Sequence, residues 1–280
     1  MAVTPRDAAT VVLLRKKSCP ESGGFEVLMA LRNRTSSFVP SSYVFPGGRV
    51  DGDDARDDME SFCSDEDLKR AQSMLERPGL SGHGLAVWIA AVRETFEEVG
   101  LLFAYGKDGS LLQFSGMDAL AERYREYRRQ IAACQIKFSE MLSREGLTFA
   151  FDRLHYFSHW ITPELSPKRY DTRFFIAEAP PCQKALHDGQ ELTRHLWISP
   201  EAALEQYWQN RFHMVVPTIV TLEELSRFNK IGDVIESTKN KKIKSVMTRI
   251  VFDNGEIQEH APDGRIFTNL VSPEAKTKSG

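Results

Sequence analysis

Short apolar runs crowd the first third of the chain. Residues 8–16 and 25–31 are rich in β-forming side chains and are separated by Pro20 and Gly23-Gly24, which predicts an antiparallel pair of strands. Over 85–99 the period changes. Val87, Trp88, Ala91, Val92 and Thr95 or Phe96 fall on one stripe of a 3.6-residue helix, and Gly100 follows as a residue able to end it in the left-handed conformation. Residues 117–144 predict one long amphipathic helix. Its polar face carries Arg123, Arg125, Arg128 and Arg129, read as solvated charge or as a lid. Residues 154–161, 170–178 and 193–198 read as strands. Ser199-Pro200-Glu201 opens a helix with a capping serine and a proline in its first turn, and another helix follows Pro217. Past Lys230 lies a basic run, 239–244. Residues 246–252 and 257–260 then alternate about Asp253-Asn254-Gly255, a hairpin signal, and 271–280 is expected to be disordered. Strands interleaved with helices in this way predict an α/β fold.

The chemistry concentrates in Arg93-Glu94-Thr95-Phe96-Glu97-Glu98-Val99-Gly100-Leu101. Glu94, Glu97 and Glu98 stand at i, i+3 and i+4, on one helix face. Like charges at that spacing repel, and near a helix C-terminus they also oppose the macrodipole. A bridging cation removes both penalties, and hard carboxylate oxygens suit Mg²⁺ or Mn²⁺. Upstream, Phe45-Pro46-Gly47-Gly48-Arg49 ends an apolar strand in two permissive glycines, so main-chain groups can approach a ligand closely.

Together the two segments resemble the Nudix box of diphosphate hydrolases: Gly, five residues, Glu, seven residues, then Arg-Glu, an aliphatic residue, any residue, Glu-Glu, any residue, Gly and an aliphatic residue. Gly48, Arg93, Glu94, Glu97, Glu98, Gly100 and Leu101 fit, and Thr95 is a tolerated variant. Asp54 stands where the pattern has its first Glu. Residues 55–92 fill the place of the usual seven. Such an insertion is similar to the branch of the mammalian peroxisomal coenzyme A diphosphatase with an interrupted box, and its bacterial relatives. The stretches around 28–40, 159–163 and 168–175 are similar to that branch too. The resemblance implies a Nudix α/β/α sandwich with a mixed central sheet over residues 8–230. A helical insertion lies at about 55–84, and a C-terminal extension with a hairpin spans 231–270. Insertion and 117–144 helix are expected to flank the substrate mouth.

It further implies metal-dependent attack of water on a nucleoside diphosphate. The preferred substrate is coenzyme A or acyl-coenzyme A, cleaved to 3′,5′-ADP and (acyl-)phosphopantetheine. ADP-ribose, dinucleotides, nucleotide sugars and a non-catalytic ligand sensor are the alternatives. Expected metal ligands are Glu94, Glu98, Glu97 and the Gly47 carbonyl. Arg93 is expected to fix a glutamate rotamer, unless it forms an ordinary surface pair. Glu97 is a candidate base, Glu191 from a late loop, with Asp188 behind it, is a candidate base or further ligand with ordinary surface charge the favoured alternative, and Glu94 belongs to the same catalytic set. Asp54 either orients a water or amide or is loop solvation. Arg32, Arg34 and the Gly48 backbone are candidate substrate contacts, with exposed strand-end charge the alternative for the arginines.

Bulk properties narrow the field. A formal charge of −3 gives no broad basic surface for nucleic acid. Cys19, Cys63, Cys134 and Cys182 lie far apart, as reduced thiols of a cytoplasmic protein do. The apolar run 85–92 is too short to span a bilayer, no secretory signal is evident, and the final Lys278-Ser279-Gly280 is not a Ser-Lys-Leu peroxisomal address. His155 and His159, four apart on a strand, are expected on one side but about 13 Å from each other, too far to share a metal. Trp160, Tyr170, Phe174 and Phe175 read as core aromatics.

Overall fold

The computed structural model describes residues 3–17, 24–73, 84–114, 118–253 and 256–268. In chain order come β1 (Arg6–Lys16), β2 (Phe25–Arg32), β3 (Tyr43–Val44) and β4 (Gly47–Arg49). A 3₁₀ turn (Asp57–Phe62), α1 (Asp65–Ser73), α2 (Gly84–Val99), β5 (Ala104–Tyr105), α3 (Ala119–Ala132) and α4 (Phe138–Glu145) follow. Then come β6 (Thr148–Phe149), β7 (His155–Ile161), β8 (Tyr170–Glu178), β9 (Leu192–Ile198), α5 (Pro200–Trp208), α6 (Val216–Leu225) and α7 (Ile231–Thr238). The described chain closes with β10 (Ser245–Met247), β11 (Arg249–Asp253), β12 (Glu256–His260) and β13 (Ile266–Phe267).

Eight strands make one mixed sheet. β10, β7, β8, β1 and β2 lie side by side, and β9 pairs β2. β1 pairs β8 in parallel and β2 antiparallel. Beyond Leu14, toward the start of β1, the pairing between β1 and β2 ends. β4 takes the place beside β1 at Ala8 to Thr10, and β3 takes the place beside β2 at Ala30 and Leu31. The glycine turn between β3 and β4 therefore sits where the sheet splits.

Strand periodicity distributes the core to both faces. Ala9, Val11 and Leu13 of β1, with Leu28, Ala30 and Phe175, pack against α2 and its neighbours. Val12, Leu14, Val27, Met29, Phe174 and Ile176 point the other way, into residues of α5, α6 and α7. This is the expected α/β/α sandwich. α2 is almost wholly buried, with Trp88 wedged against Phe175 at 4.6 Å between ring centroids. Thr95 tolerates its place because its hydroxyl donates to the Ala91 carbonyl at 2.7 Å. Ser199 caps α5 as expected, accepting from the Ala202 amide.

Three expectations change. The 117–144 segment is two helices, because Cys134 takes a left-handed φ of 53° and ends α3 before Lys137 starts α4. α3 packs through Tyr124 on Phe96 of α2. Residues 245–247 do not belong to the hairpin; they add a parallel strand to β7. A bulge between Tyr156 and Ser158 pairs His155 with Ile176 and His159 with Arg173, so the two histidines point to opposite faces. The turns at 20–23 and 254–255, the insertion at 74–83, Cys19 and the 271–280 tail lie outside the described residues. Among the described residues no helix is long and apolar enough to cross a membrane.

Phe175 packs the sheet onto Trp88 of α2. Phe175→Ala is expected to lower stability by about 3–5 kcal/mol with an unchanged m-value, read from the urea midpoint.

Candidate active site

The glycine turn is pressed between β1 and α2. A Cβ on Gly47 would lie 2.2 Å from the Ala9 carbonyl oxygen, and its φ of 153° disfavours any side chain. A Cβ on Gly48 would lie 2.4–2.6 Å from the Glu94 carboxylate. The pair is required because backbone, with no side chain between, touches α2. The Gly47 N–H donates to Glu98 Oε2 at 2.8 Å.

Arg93 binds the halves of the split box to each other. Its Nε and Nη2 donate to the two oxygens of Asp54 at 2.8 and 2.9 Å, and Nη2 also reaches the Arg49 carbonyl at 2.9 Å. Nη1 reaches Glu94 at 2.9 Å and Glu97 at 3.4 Å. Asp54 takes a further bond from the Asp51 amide at 2.8 Å. Burial opposes the charge on Arg93, but Asp54, Glu94 and Glu97 outweigh it and hold the guanidinium more firmly protonated than usual. Asp54 is thus a buried partner of Arg93, and the loop-solvation alternative falls away. The surface-pair alternative for Arg93 falls with it.

Glu94 and Glu98 are the electrostatic problem of the site. Burial, opposed by Arg93, pushes Glu94 up to about 7. Glu98 is pushed well up, by burial first and by the Glu94 charge second, against the Gly47 N–H and Arg32. Glu97, the most open of the three at 26 % side-chain exposure, is raised by burial too. The carboxylates of Asp54, Glu94, Glu97, Glu98 and Glu191 outnumber the two guanidiniums that face them, those of Arg93 and Arg32, and a divalent cation would relieve the excess. Hard oxygen donors at low exposure fit such an ion. Among the described residues no three acidic, histidine or cysteine side chains already converge as a cage. Arg93 and the Gly47 amide hold the glutamates instead, and a cation would compete with those bonds.

Arg32 reaches into the same site from β2. It stands 3.8 Å from Glu98 and 3.9 Å from Glu191, longer than hydrogen bonds, and its buried Nε has no hydrogen-bond partner. Glu191 is 67 % exposed on the loop before β9. Asp188 shapes that loop: its carboxylate accepts the amides of Gln190, Glu191 and Leu192, and its own amide donates to the Glu98 carbonyl at 3.1 Å. Arg34 is exposed on the segment after β2. Arg128 differs from its neighbours on α3. Arg125 and Arg129 pair with Glu122 and Glu126, whereas Arg128 donates to the carbonyls of Glu97 and Leu186, both at 2.7 Å. A cation on the last carbonyls of α2 offsets the dipole end that three glutamates aggravate.

A group whose folded pKa exceeds its unfolded value stabilises the protein fully below the unfolded value, and that contribution is lost as pH rises through the folded one. For Glu94 the window runs from about 4.5 to about 7. In chelator, Glu94→Gln is therefore expected to be more stable than wild type at pH 8, by up to about 3 kcal/mol, with the gap closing toward pH 5. Urea titrations across that range read it. Asp54→Ala strands a buried guanidinium and is expected to cost about 3 kcal/mol in the same assay at pH 7.

Residues 5–227 match the family model described as NUDT19 Nudix domain. The chain is 26% identical over 247 residues to the acyl-coenzyme A diphosphatase NUDT19 of Xenopus laevis, covering 79% of this chain and 64% of that relative. It is 26% identical over 330 residues to the protein of the same name from Homo sapiens, covering 98% and 85%. The crystal structure of a Nudix hydrolase from Alicyclobacillus acidocaldarius superposes with a TM-score of 0.64 at 25% identity, covering 84% of this chain and 96% of that one. This chain thus spans just under two thirds of the Xenopus relative's length. With most of its residues under one family model, and with the glycine turn and acidic helix in contact, the chain belongs to the Nudix hydrolase family, in the group of the NUDT19 Nudix domain.

Proposed function

We propose that the chain hydrolyses the diphosphate of coenzyme A or acyl-coenzyme A to 3′,5′-ADP and (acyl-)phosphopantetheine, with Mg²⁺ or Mn²⁺. The observation that carries the reaction is the buried, mutually repelling pair Glu94 and Glu98 against the Gly47-Gly48 turn, with the incompletely bonded Arg32 beside it. The substrate rests on the relatives in Xenopus laevis and Homo sapiens that are named acyl-coenzyme A diphosphatases.

Nudix hydrolases use divalent cations. Bound here, such an ion neutralises phosphate oxygens and acidifies a water. Glu94, Glu98 and Glu97, with the Gly47 carbonyl, are the groups we assign to hold it. Arg93 sets the rotamers of Glu94 and Glu97 from behind. The Gly48 backbone, lying directly against the Glu94 carboxylate, contacts the substrate, and Arg32 contacts phosphate oxygens through a fork, with Arg34 at the rim. Water attacks phosphorus, the bridging P–O bond breaks, and the water's proton passes to Glu97 or to Glu191. We infer a cytoplasmic location from the free thiols of Cys63, Cys134 and Cys182.

The test is a substrate panel of coenzyme A, ADP-ribose, NADH and dinucleoside polyphosphates with Mg²⁺ or Mn²⁺, with products resolved by chromatography. Release of 3′,5′-ADP from coenzyme A is expected. It should stop in chelator and fall at least about 100-fold in Glu98→Gln. Turnover of another member in place of coenzyme A overturns the substrate. Failure of every member leaves a ligand sensor, and unchanged turnover in Glu98→Gln removes the ligand assignment.

A further inference from the structure

A cleft of about 350 Å³ opens beside β9, away from the glutamates, and the hydrolysis above makes no use of it. That volume is in the range of small-molecule sites. Its walls carry Arg15, Lys184, His195 and Trp197, with Pro180 and Pro181. The register sets His195 opposite Ala30 and Trp197 opposite Leu28, and Leu28 and Ala30 face α2, as does Arg32 two residues further on. At about 3.3 Å per residue the cleft therefore begins roughly 7 Å from the position of Arg32 and extends to roughly 13 Å along one sheet face.

The loop that forms one wall is fastened to the catalytic helix. Leu186 N–H donates to the Val99 carbonyl at 2.9 Å, and Asp188 N–H to that of Glu98. The chemistry of the cleft is opposite to that of the neighbouring acidic site. The Arg15 guanidinium lies 4.5 Å from the Trp197 ring centre and pairs with Glu26 at 2.8 Å. Lys184 is exposed. His195 lies against His187, with 2.7 Å between their Nδ1 atoms, and burial first holds its pKa below the ordinary histidine value.

Resting on the proposed reaction, the geometry points to this cleft as the seat of the 3′-phosphorylated adenosine of coenzyme A. Lys184 and Arg15 meet the 3′-phosphate, and Trp197 with the two prolines receives the adenine ring. The diphosphate then lies between Arg32 and the glutamates, at the spacing the strand register provides. The pantetheine arm is neutral and gives Lys184 nothing to neutralise, so it leaves by the other side. The cleft thereby selects for a phosphate that ADP-ribose and dephospho-coenzyme A lack.

Calorimetry on the intact chain with adenosine 3′,5′-bisphosphate and with AMP tests the site without turnover. The bisphosphate is expected to bind about tenfold tighter. The kcat/KM ratio of coenzyme A over dephospho-coenzyme A should show a similar preference. Lys184→Ala should abolish both preferences and Lys184→Arg should restore them. Equal binding of the two nucleotides, or a preference that survives Lys184→Ala and Trp197→Ala, overturns the assignment. Equal turnover of the two coenzymes overturns it while leaving the reaction intact. A Lys184-dependent preference for the bisphosphate without coenzyme A hydrolysis does the reverse.

Discussion

The site is organised around one buried guanidinium. Arg93 is 6 % exposed and is held by Asp54 through a fork, by Glu94 and Glu97 through its remaining nitrogen, and by the Arg49 carbonyl. Burying a charge is costly unless its partners are complete, so an arrangement of this kind is nearly all-or-none. When Arg93 is satisfied, the loop after β4 is fixed on α2, and two of the three helix glutamates have defined rotamers. The third, Glu98, is fixed from the other side by a backbone amide, which only a glycine turn pressed onto the helix can supply. Fold and chemistry therefore share the same few bonds.

The sheet supplies the place. β1 and β2 pair over only Leu14 to Lys16, and where they part β3 and β4 enter the gap. The split exposes main-chain groups to α2 instead of closing them in a ladder. The loop after β8 then rests on the C-terminal turn of α2, bonded to Val99 and Glu98 and tied down by Arg128. The groups assigned to the proposed reaction come from three directions, and each is anchored in a rigid element, which is how positional precision is obtained without bound substrate.

Much of this was legible in the sequence because it rests on local periodicity. Glu94, Glu97 and Glu98 share a face by spacing alone, Gly100 ends the helix with a φ of 72°, and β1, β2 and β8 follow from apolar runs between breakers. What sequence reasoning missed depends on contacts far along the chain. Arg128 resembles Arg125 and Arg129 in a helical wheel, and only tertiary placement aims it at the carbonyls of Glu97 and Leu186; the need for a cation at that helix end was the available hint. Asp54 could be weighed only evenly until its burial was visible. The break at Cys134 carries no proline or glycine, so nothing local announces it. The bulge in β7 shifts register without a distinctive residue, which is why His155 and His159 were assigned to one face.

The bond between Asp54 and Arg93 also explains how a signature motif survives interruption. Once both ends of a loop are clamped to each other, the entropy of closing it grows only with the logarithm of its length, about 0.6 kcal/mol for each doubling. Extra residues ahead of α2 are then thermodynamically cheap to carry, while Met59, Ala71 and the buried face of α2 itself stay fixed in the core. The chain is thus open to grafting at this point: a foreign module inserted between the two ends would inherit a fixed address beside the reaction centre, while the centre itself would scarcely register the change.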